Sequence, residues 1–503
     1  MLLSKRIKPM RPCSFRAVIK LFSSILGVII LGGVTSCGLV PDPPDLRAAP
    51  QCALEQAKLE AIAEAAYITD HWMEHEWWHY FGDPQLDRLI EQALLEHPSI
   101  EEAQARLGAA IAISEKAEAP LWPGFNFETD ITKVHQSPNG IFGILQASDP
   151  AYPITYRQRN MEIGFQYDFD FFKIHSNEII AQLDEVQALK AEEYIARMAL
   201  AISVAQTYYQ NQICRAREKL AEHLLNNRQD MISLSEKRQT QGLVGRVNIN
   251  NAVNDALRTK QNLSQLSQET LTSGYELQAL LAGDFAIPVC AIDIDGHLEP
   301  FPVPCSLSLD LLAHRPDVWA HRWRVEAAAR QICIARAAFY PNIKFQGLIG
   351  LQAVNDLPFF TWDSIAGFLY GPTLRLPIFD GGAIKGDYDN RRQQYRLAVA
   401  QYDACVLTAT REVLNALVAL RKTDERYHIA RQLEKLAWEN AENSRLRLKY
   451  TLNSKLDFMS SENDWLQAKD ASLQAYMDCL QARLVLIRSL GGGYEFECDK
   501  FDL

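Results

Sequence analysis

No proline lies between Pro153 and Pro288, and none follows Pro377. Glycine is missing from 175–241 and from 387–490. Proline removes a backbone donor and glycine weakens a helix interior. Their absence over such stretches excludes turn-rich structure and admits very long helices. About 60 helical residues at ~1.5 Å each reach ~90 Å. A helix of that length cannot fold back into a compact domain and must run beside others in an extended bundle. Ile195, Met198, Ile202, Ala205 and Tyr209 keep the 3-4-3-4 spacing of a heptad seam. Acidic residues are missing from 1–36, where Lys5, Arg6, Lys8, Arg11, Arg16 and Lys20 frame the apolar run 21–34. That run is shorter than the ~20 apolar residues a spanning helix needs. A basic start followed by a short apolar run is the pattern of a secretory signal.

Val34-Thr35-Ser36-Cys37 then resembles a bacterial lipobox. Cleavage before Cys37 would leave its thiol to carry a diacylglycerol, and each buried CH₂ of such chains contributes ~0.8 kcal/mol to anchoring. Gly38, rather than an aspartate, favours the outer membrane over retention at the inner one. Removing 1–36 takes away six positive charges, so the mature chain carries about −11 − 6 = −17. Nucleic-acid binders need a cationic face, so that class is excluded. Cys214, Cys333, Cys405 and Cys479 fall in helical patterns and are expected to be buried apolar residues. Cys290 and Cys305 flank a proline-rich connector and are candidates for a disulfide in an oxidising compartment.

The chain is written twice. LLEHPSI (94–100) returns as LLAHRPDV (311–318), with Pro98 on Pro316 and Pro123 on Pro341 at an offset of 316 − 98 = 218. GFQYDFDFF (164–172) returns as GPTLRLPIF (371–379). VNINNAVNDALRTK (247–260) returns as LDFMSSENDWLQAK (456–469), with Asn254 and Asp255 on Asn463 and Asp464. This is a tandem duplication. Each copy reads as an alanine-rich helix, two strand-like stretches and two long helices. In MEIGFQYDFDFF, residues Met161, Ile163, Phe165, Tyr167, Phe169 and Phe171 alternate with Glu162, Gly164, Gln166, Asp168 and Asp170. A half-buried soluble sheet shows this alternation, and so does a transmembrane β-barrel. Four strands cannot close a membrane barrel, for which about eight is the minimum. Open edges are forbidden in lipid, so the barrel reading implies partner chains.

Residues 75–79 read HEWWH, the H-E-x-x-H pattern of zinc proteases. The zinc reading makes His75 and His79 ligands on one helical face and Glu76 the general base, with a third ligand elsewhere. The glycine-containing version wants a histidine at position 85, where this chain has Gln85. His71, His75 and His79 also stand at i, i+4 and i+8, a spacing for incidental metal binding if the stretch is helical.

A second account covers more of the same residues. The Cys37 lipobox, W77-W78-x-x-F81-G82-D83-P84, H-P-S-I at 97–100, R238-x-x-x-G242-L243-V244, H-R-P-D-V at 314–318, A-F-Y-P at 338–341 and P377-I-F-D-G-G382 follow one another in order. Together they resemble the TolC-like outer-membrane efflux protein family, in its lipoprotein (NodT/OprM-type) subgroup. The resemblance implies an α+β membrane protein. Its unit is a tandem repeat of strand pair plus long helical hairpin, and its homotrimer forms a 12-stranded outer-membrane β-barrel continued by a periplasmic α-helical barrel. The expected division is a signal peptide (1–36), an N-terminal anchor and equatorial segment (37–85), repeat 1 (86–288), a connector (289–305), repeat 2 (306–490) and a C-terminal tail (491–503). Strand pairs fall at 123–172 and 341–379, and hairpins at 175–285 and 383–490. The hairpin tips fall at Gly242, Leu243 and Val244 and at Asn453 and Ser454.

The function implied is a passive exit duct, with no enzyme activity, cofactor or metal. Its partners are a periplasmic adaptor, an inner-membrane pump and outer-membrane lipid. Family members close the duct with polar and carboxylate groups near the second tip, where Glu439 and Glu442 stand; a solvated helix face is the other reading of both. The second tip lacks the glycine of the first and looks about two residues short, with Asn453 expected to take the left-handed turn conformation. A type I protein-secretion duct, a non-channel coiled-coil envelope lipoprotein and an exported zinc protease are the alternatives.

Overall fold

A computed structural model describes residues 74–140, 144, 154–282 and 314–494, with the backbone of 68–69 and 303–304. Cys37, His71, Cys290 and Cys305 lie outside the described residues. Among the described residues the chain divides into two compact units, one from within 115–181 and 328–396 and the other from within 74–114, 182–327 and 397–494.

The first unit holds an antiparallel sheet of β1 (Gly124–His135), β2 (Thr155–Phe169), β3 (Asn342–Val354) and β4 (Ile365–Arg375), hydrogen-bonded in that order. Each repeat supplies two strands, and the copies meet where β2 pairs β3, with Ile163 opposite Ile349. Among the described residues β1 pairs only with β2 and β4 only with β3, so both outer edges are open there. The pairs Gly124–Gln166, Phe169–Ile343 and Asn342–Arg375 define one end of the sheet, where every strand connects to a helical segment. At the other end His135 faces Thr155 and Leu351 faces Ile365, and the strands are joined to each other.

The second unit is helical. Its elements include α1 (Pro84–Glu96) and stretches of α2 (Pro98–Glu118), α3 (Ile174–Thr240), α4 (Arg246–Leu280), α5 (Pro316–Ala337), α6 (Ala383–Lys449) and α7 (Lys455–Leu490). α3 and α6 are each 67 residues long, or ~100 Å at ~1.5 Å per residue. The heptad seam is present: Met198, Ile202, Ala205 and Tyr209 are buried, and Ile195 is half-buried. The four buried ones join one core with Leu277 of α4, Val413 of α6 and Leu480 of α7. Proline opens both short helices at the repeat starts, Pro98 in α2 and Pro316 in α5, where its missing N–H has no helical partner to lose. Ile68–Thr69 pairs in parallel with Val303–Pro304. Among the described residues no helix is long and apolar enough to cross a membrane.

Candidate functional site

The sheet has one apolar and one polar face. Register places Phe125, Phe127 and Ile131 of β1 beside Met161, Ile163 and Phe165 of β2, then Phe345, Ile349 and Leu351 of β3 and Tyr370 of β4. These side chains point outward: Phe125 is 71% exposed, Ile131 71% and Tyr370 73%. From Met161 to Phe169 the band runs ~26 Å along the strand at ~3.3 Å per residue, comparable with the ~25 Å apolar girdle of membrane barrels. The alternate positions carry Asn126, Glu128, Asp130, Glu162, Gln166 and Asp168. There Lys344 Nζ meets Asp168 Oδ2 at 2.7 Å, and Asn160 Nδ2 donates to Asp130 Oδ1 at 3.1 Å. Glu128 stands directly opposite Glu162.

The hairpin turns are built alike. In the first, Gly242 has φ 72° and the Leu243 N–H donates to the Arg238 carbonyl at 2.9 Å. In the second, Thr451 has φ 60° and the Leu452 N–H donates to the Arg447 carbonyl at 2.8 Å. Two expectations need correction. Thr451, not Asn453, takes the left-handed conformation, and the connectors 241–245 and 450–454 are equal in length. Val244 stands where Asn453 stands in the second copy. Asn453 Nδ2 donates to Ser444 Oγ at 2.9 Å, tying the turn back to α6. Ser454 caps α7 in a reciprocal box with Asp457, for which the S-K-L-D sequence is the signal. That hydrogen bond leads in holding the Asp457 carboxyl below its ordinary value, and the Arg238 charge adds to it. The two turns therefore lie at one end of the helical unit.

Glu439 is exposed on α6, while half-buried Glu442 pairs with Arg445, Oε2 to Nε at 3.2 Å. Among the described residues the two candidate gate residues share no partner. Nearer the turn an open cleft of about 760 Å³ is lined by Asn440, Asn443, Ser444, Arg447, Asn453 and Asp464.

HEWWH is accounted for by packing. Trp77–Phe81 is a 3₁₀ helix, so positions 75 and 79 do not share the α-helical face that the zinc reading requires. His75 Nδ1 lies 3.2 Å from the Tyr194 hydroxyl. His79 contacts Asp87 through Nδ1 at 2.9 Å and Glu76 through Nε2 at 3.2 Å. No group of metal-ligating side chains is present among the described residues. Trp77 and Trp78 are buried in the core, and Phe81 packs on Tyr209. Gly82 turns at φ 63°, and Asp83 then caps α1 through the Gln85 and Leu86 N–H groups, with Pro84 at the first helical position. Every letter of W-W-x-x-F-G-D-P except the two spacers thus has a place in starting α1.

H-R-P-D-V is an ion-pair joint. Buried Arg315 bonds Asp317 at 2.7 Å, Glu412 at 3.0 Å and the Ser489 carbonyl at 2.8 Å. Cys214 and Cys479 are buried, as expected, but Cys405 is half-buried and Cys333 exposed; Cys333 lies on the outward side of α5. Burial pushes the Cys214 thiol up to about 11 and the Cys405 thiol up to about 12, so neither is a reactive thiolate.

A sheet that turns its aromatic face outward, keeps its carboxylates on the other face and leaves both edges open among the described residues is built for a bilayer, as one part of a closed barrel. With paired long hairpins it defines a subunit of an outer-membrane channel. The outer membrane efflux protein family matches residues 89–283 and 307–492, and the chain belongs to that family. The multidrug resistance outer membrane protein MdtP of Escherichia coli is 25% identical over 489 residues, covering 94% of this chain and 96% of its own. Among solved structures, the outer membrane protein VceC of Vibrio cholerae is 28% identical with a TM-score of 0.71, covering 84% of this chain and all of its own. The Campylobacter jejuni outer membrane channel CmeC superposes with a TM-score of 0.77 at 19% identity, covering 91% and 95%, and shows the shared fold. The chain is thus a TolC-like efflux channel subunit that serves as an exit duct in the outer membrane and extends into the periplasm.

Proposed function

We propose that three copies of this chain close a 12-stranded barrel and form the passive duct of a tripartite efflux system. An inner-membrane pump supplies the energy and a periplasmic adaptor joins pump to duct. No step in this reading is catalytic. The observation that carries it is the open-edged sheet with its apolar face exposed. Edge strands in lipid must be paired, and four strands from each of three copies give an even, closable number. Cys37 carries the lipid anchor, which supports the same location. Opening proceeds by the hairpins shifting against each other at their turns, Gly242–Val244 and Asn453–Ser454, a packing change between two states. Glu439 and Glu442 are candidate closing groups. Small drug-like molecules are the proposed cargo, supported by the name of MdtP.

The test is gel migration of the outer-membrane fraction with and without heating, from the native chain and from Cys37→Ala, together with conductance in planar bilayers. A heat-sensitive band near three times the monomer mass, with conductance, supports the duct. A monomer that salt extracts and that forms no pore ends this reading.

A further inference from the structure

β1 and β2 sort their charges by face. Every acidic side chain on them, Glu128, Asp130, Glu162 and Asp168, occupies a polar-face position. Every basic one, Lys133, Arg157 and Arg159, occupies an apolar-face position. A polar lumen and an apolar exterior explain the first set and leave the second unexplained.

The three cations stand together. Lys133 is the direct cross-strand partner of Arg157, and Arg159 follows two residues along, opposite Ile131. Like charges directly opposite on neighbouring strands are destabilising. No strand position on this face carries a carboxylate to offset them. Lys133 and Arg157 are exposed and make no ion pair among the described residues. Arg159 is already oriented: one Nη donates to the carbonyls of Asn355 at 2.8 Å and Leu357 at 2.7 Å, and the guanidinium lies 5.4 Å from the Phe359 ring. Its Nε is buried without an acceptor.

Position identifies the occupant. The cluster lies at the end of the sheet away from the helix connections, one step beyond Met161 and Leu351, where the apolar band stops. The other end of the same face has no basic residue on any strand, so this is not a symmetric snorkelling pattern. In the membrane this is headgroup level of the outer leaflet. Phosphate matches the charge, and it accepts from a guanidinium fork and an ammonium together.

We propose that Lys133, Arg157 and Arg159 bind the phosphate of a phosphorylated outer-leaflet lipid, whose acyl chains lie along Ile131, Ile163 and Phe127. The site rests on the barrel reading given above.

The experiment measures binding of phosphorylated lipid A, and of the same lipid stripped of phosphate, to the purified full chain in detergent by native mass spectrometry. The wild type is expected to prefer the phosphorylated form by ~10-fold or more, as lost charge-assisted contacts to phosphate imply. Lys133→Gln/Arg157→Gln loses that preference, while Lys344→Gln on the polar face keeps it. Equal binding of both lipids by the wild type, or an unchanged preference in the double variant, overturns the site. Competition by millimolar inorganic phosphate as effective as that of lipid A overturns the lipid assignment. Each sample is also run unheated and heated. No oligomer from the wild type overturns the barrel reading and this site with it; a heat-sensitive oligomer without phosphate preference overturns this site alone.

Discussion

Arg217 on α3 grips Asp470 on α7 at two points, Nε to Oδ1 at 2.7 Å and Nη2 to Oδ2 at 3.2 Å. The same guanidinium reaches Gln474 through Nη1. Asn227 to Glu462 at 2.9 Å and Asn463 to Met231 at 3.2 Å continue this seam towards the turns. The first hairpin is thereby joined to the second by polar contacts rather than by apolar packing alone.

Asp470→Asn should loosen that seam. A partly buried, two-point pair is worth about 1–2 kcal/mol, so the open state should gain roughly tenfold in population. Longer open times in planar bilayers check this. Arg217→Gln and the double variant should match the single one; additive effects would mean that the pair does not act as a unit.

In the proposed barrel the polar face would line the lumen and make it acidic. Lys344 neutralises Asp168, but Glu128 and Glu162 face each other with no cation on the polar face of β1 or β2. Carboxylates lining a pore favour cations. Glu128→Gln/Glu162→Gln should move the reversal potential in a potassium chloride gradient towards zero, and an unmoved potential would place selectivity elsewhere.

Thr451 holds φ 60° with a β-branched side chain, a conformation that costs about 1–2 kcal/mol for such a residue. Thr451→Gly should raise stability by about 1 kcal/mol, and Gly242→Thr should lower it by a similar amount. Thermal melting of both variants decides. A Thr451→Gly chain that melts lower than wild type contradicts the strain.

The C-terminal end of α7 tolerates no side chain. Gly491 has φ 90°, and a Cβ there would press on the His314 carbonyl; at Gly492 it would lie 2.7 Å from Met198 Sδ. Gly491→Ala should cost more than about 3 kcal/mol, since backbone cannot move aside as a side chain can. Expression yield and melting temperature report it, with Gly492→Ala the milder of the two because Met198 can shift.

Burial pushes the Asp317 carboxyl up, but the Arg315 hydrogen bonds and charge, with the Val318 N–H, outweigh it and hold it below the ordinary value. A carboxyl depressed in the folded state stabilises above its unfolded pKa, near ~3.9. That stability is lost as pH falls through the folded value. Asp317→Asn should therefore lower the melting temperature at pH 7, by about 1–2 kcal/mol of stability, and matter less below pH ~4. An equal loss at pH 7 and pH 3 would assign the effect to packing.

The long hairpins were legible because an absence is visible at any range: no glycine or proline interrupts α3 or α6. The second turn was not, because a β-branched residue in a left-handed conformation runs against local preference. Its signal was the repeat itself. The offset that puts Asn254 on Asn463, 463 − 254 = 209, also puts Arg238 on Arg447 and Gly242 on Thr451. HEWWH left a zinc alternative open for a related reason: five letters do not specify whether a turn is α or 3₁₀. The charge sorting on β1 needed the register, since Lys133 and Arg157 lie 24 residues apart, 157 − 133, and only pairing makes them neighbours. Glu439 stands exposed on α6 and Glu442 is half-buried beside Arg445, so neither is given a closing contact by the chain's own packing.

The unpaired rows along β1 and β4 also have a genetic consequence. A chain that folds its own hairpins but cannot pair one edge would still be recruited by sound copies, and each ring containing it would fail to close. Missense changes on those two edge strands should therefore act as dominant alleles, poisoning assemblies made in the same cell, whereas a change that stops the chain folding at all should be recessive.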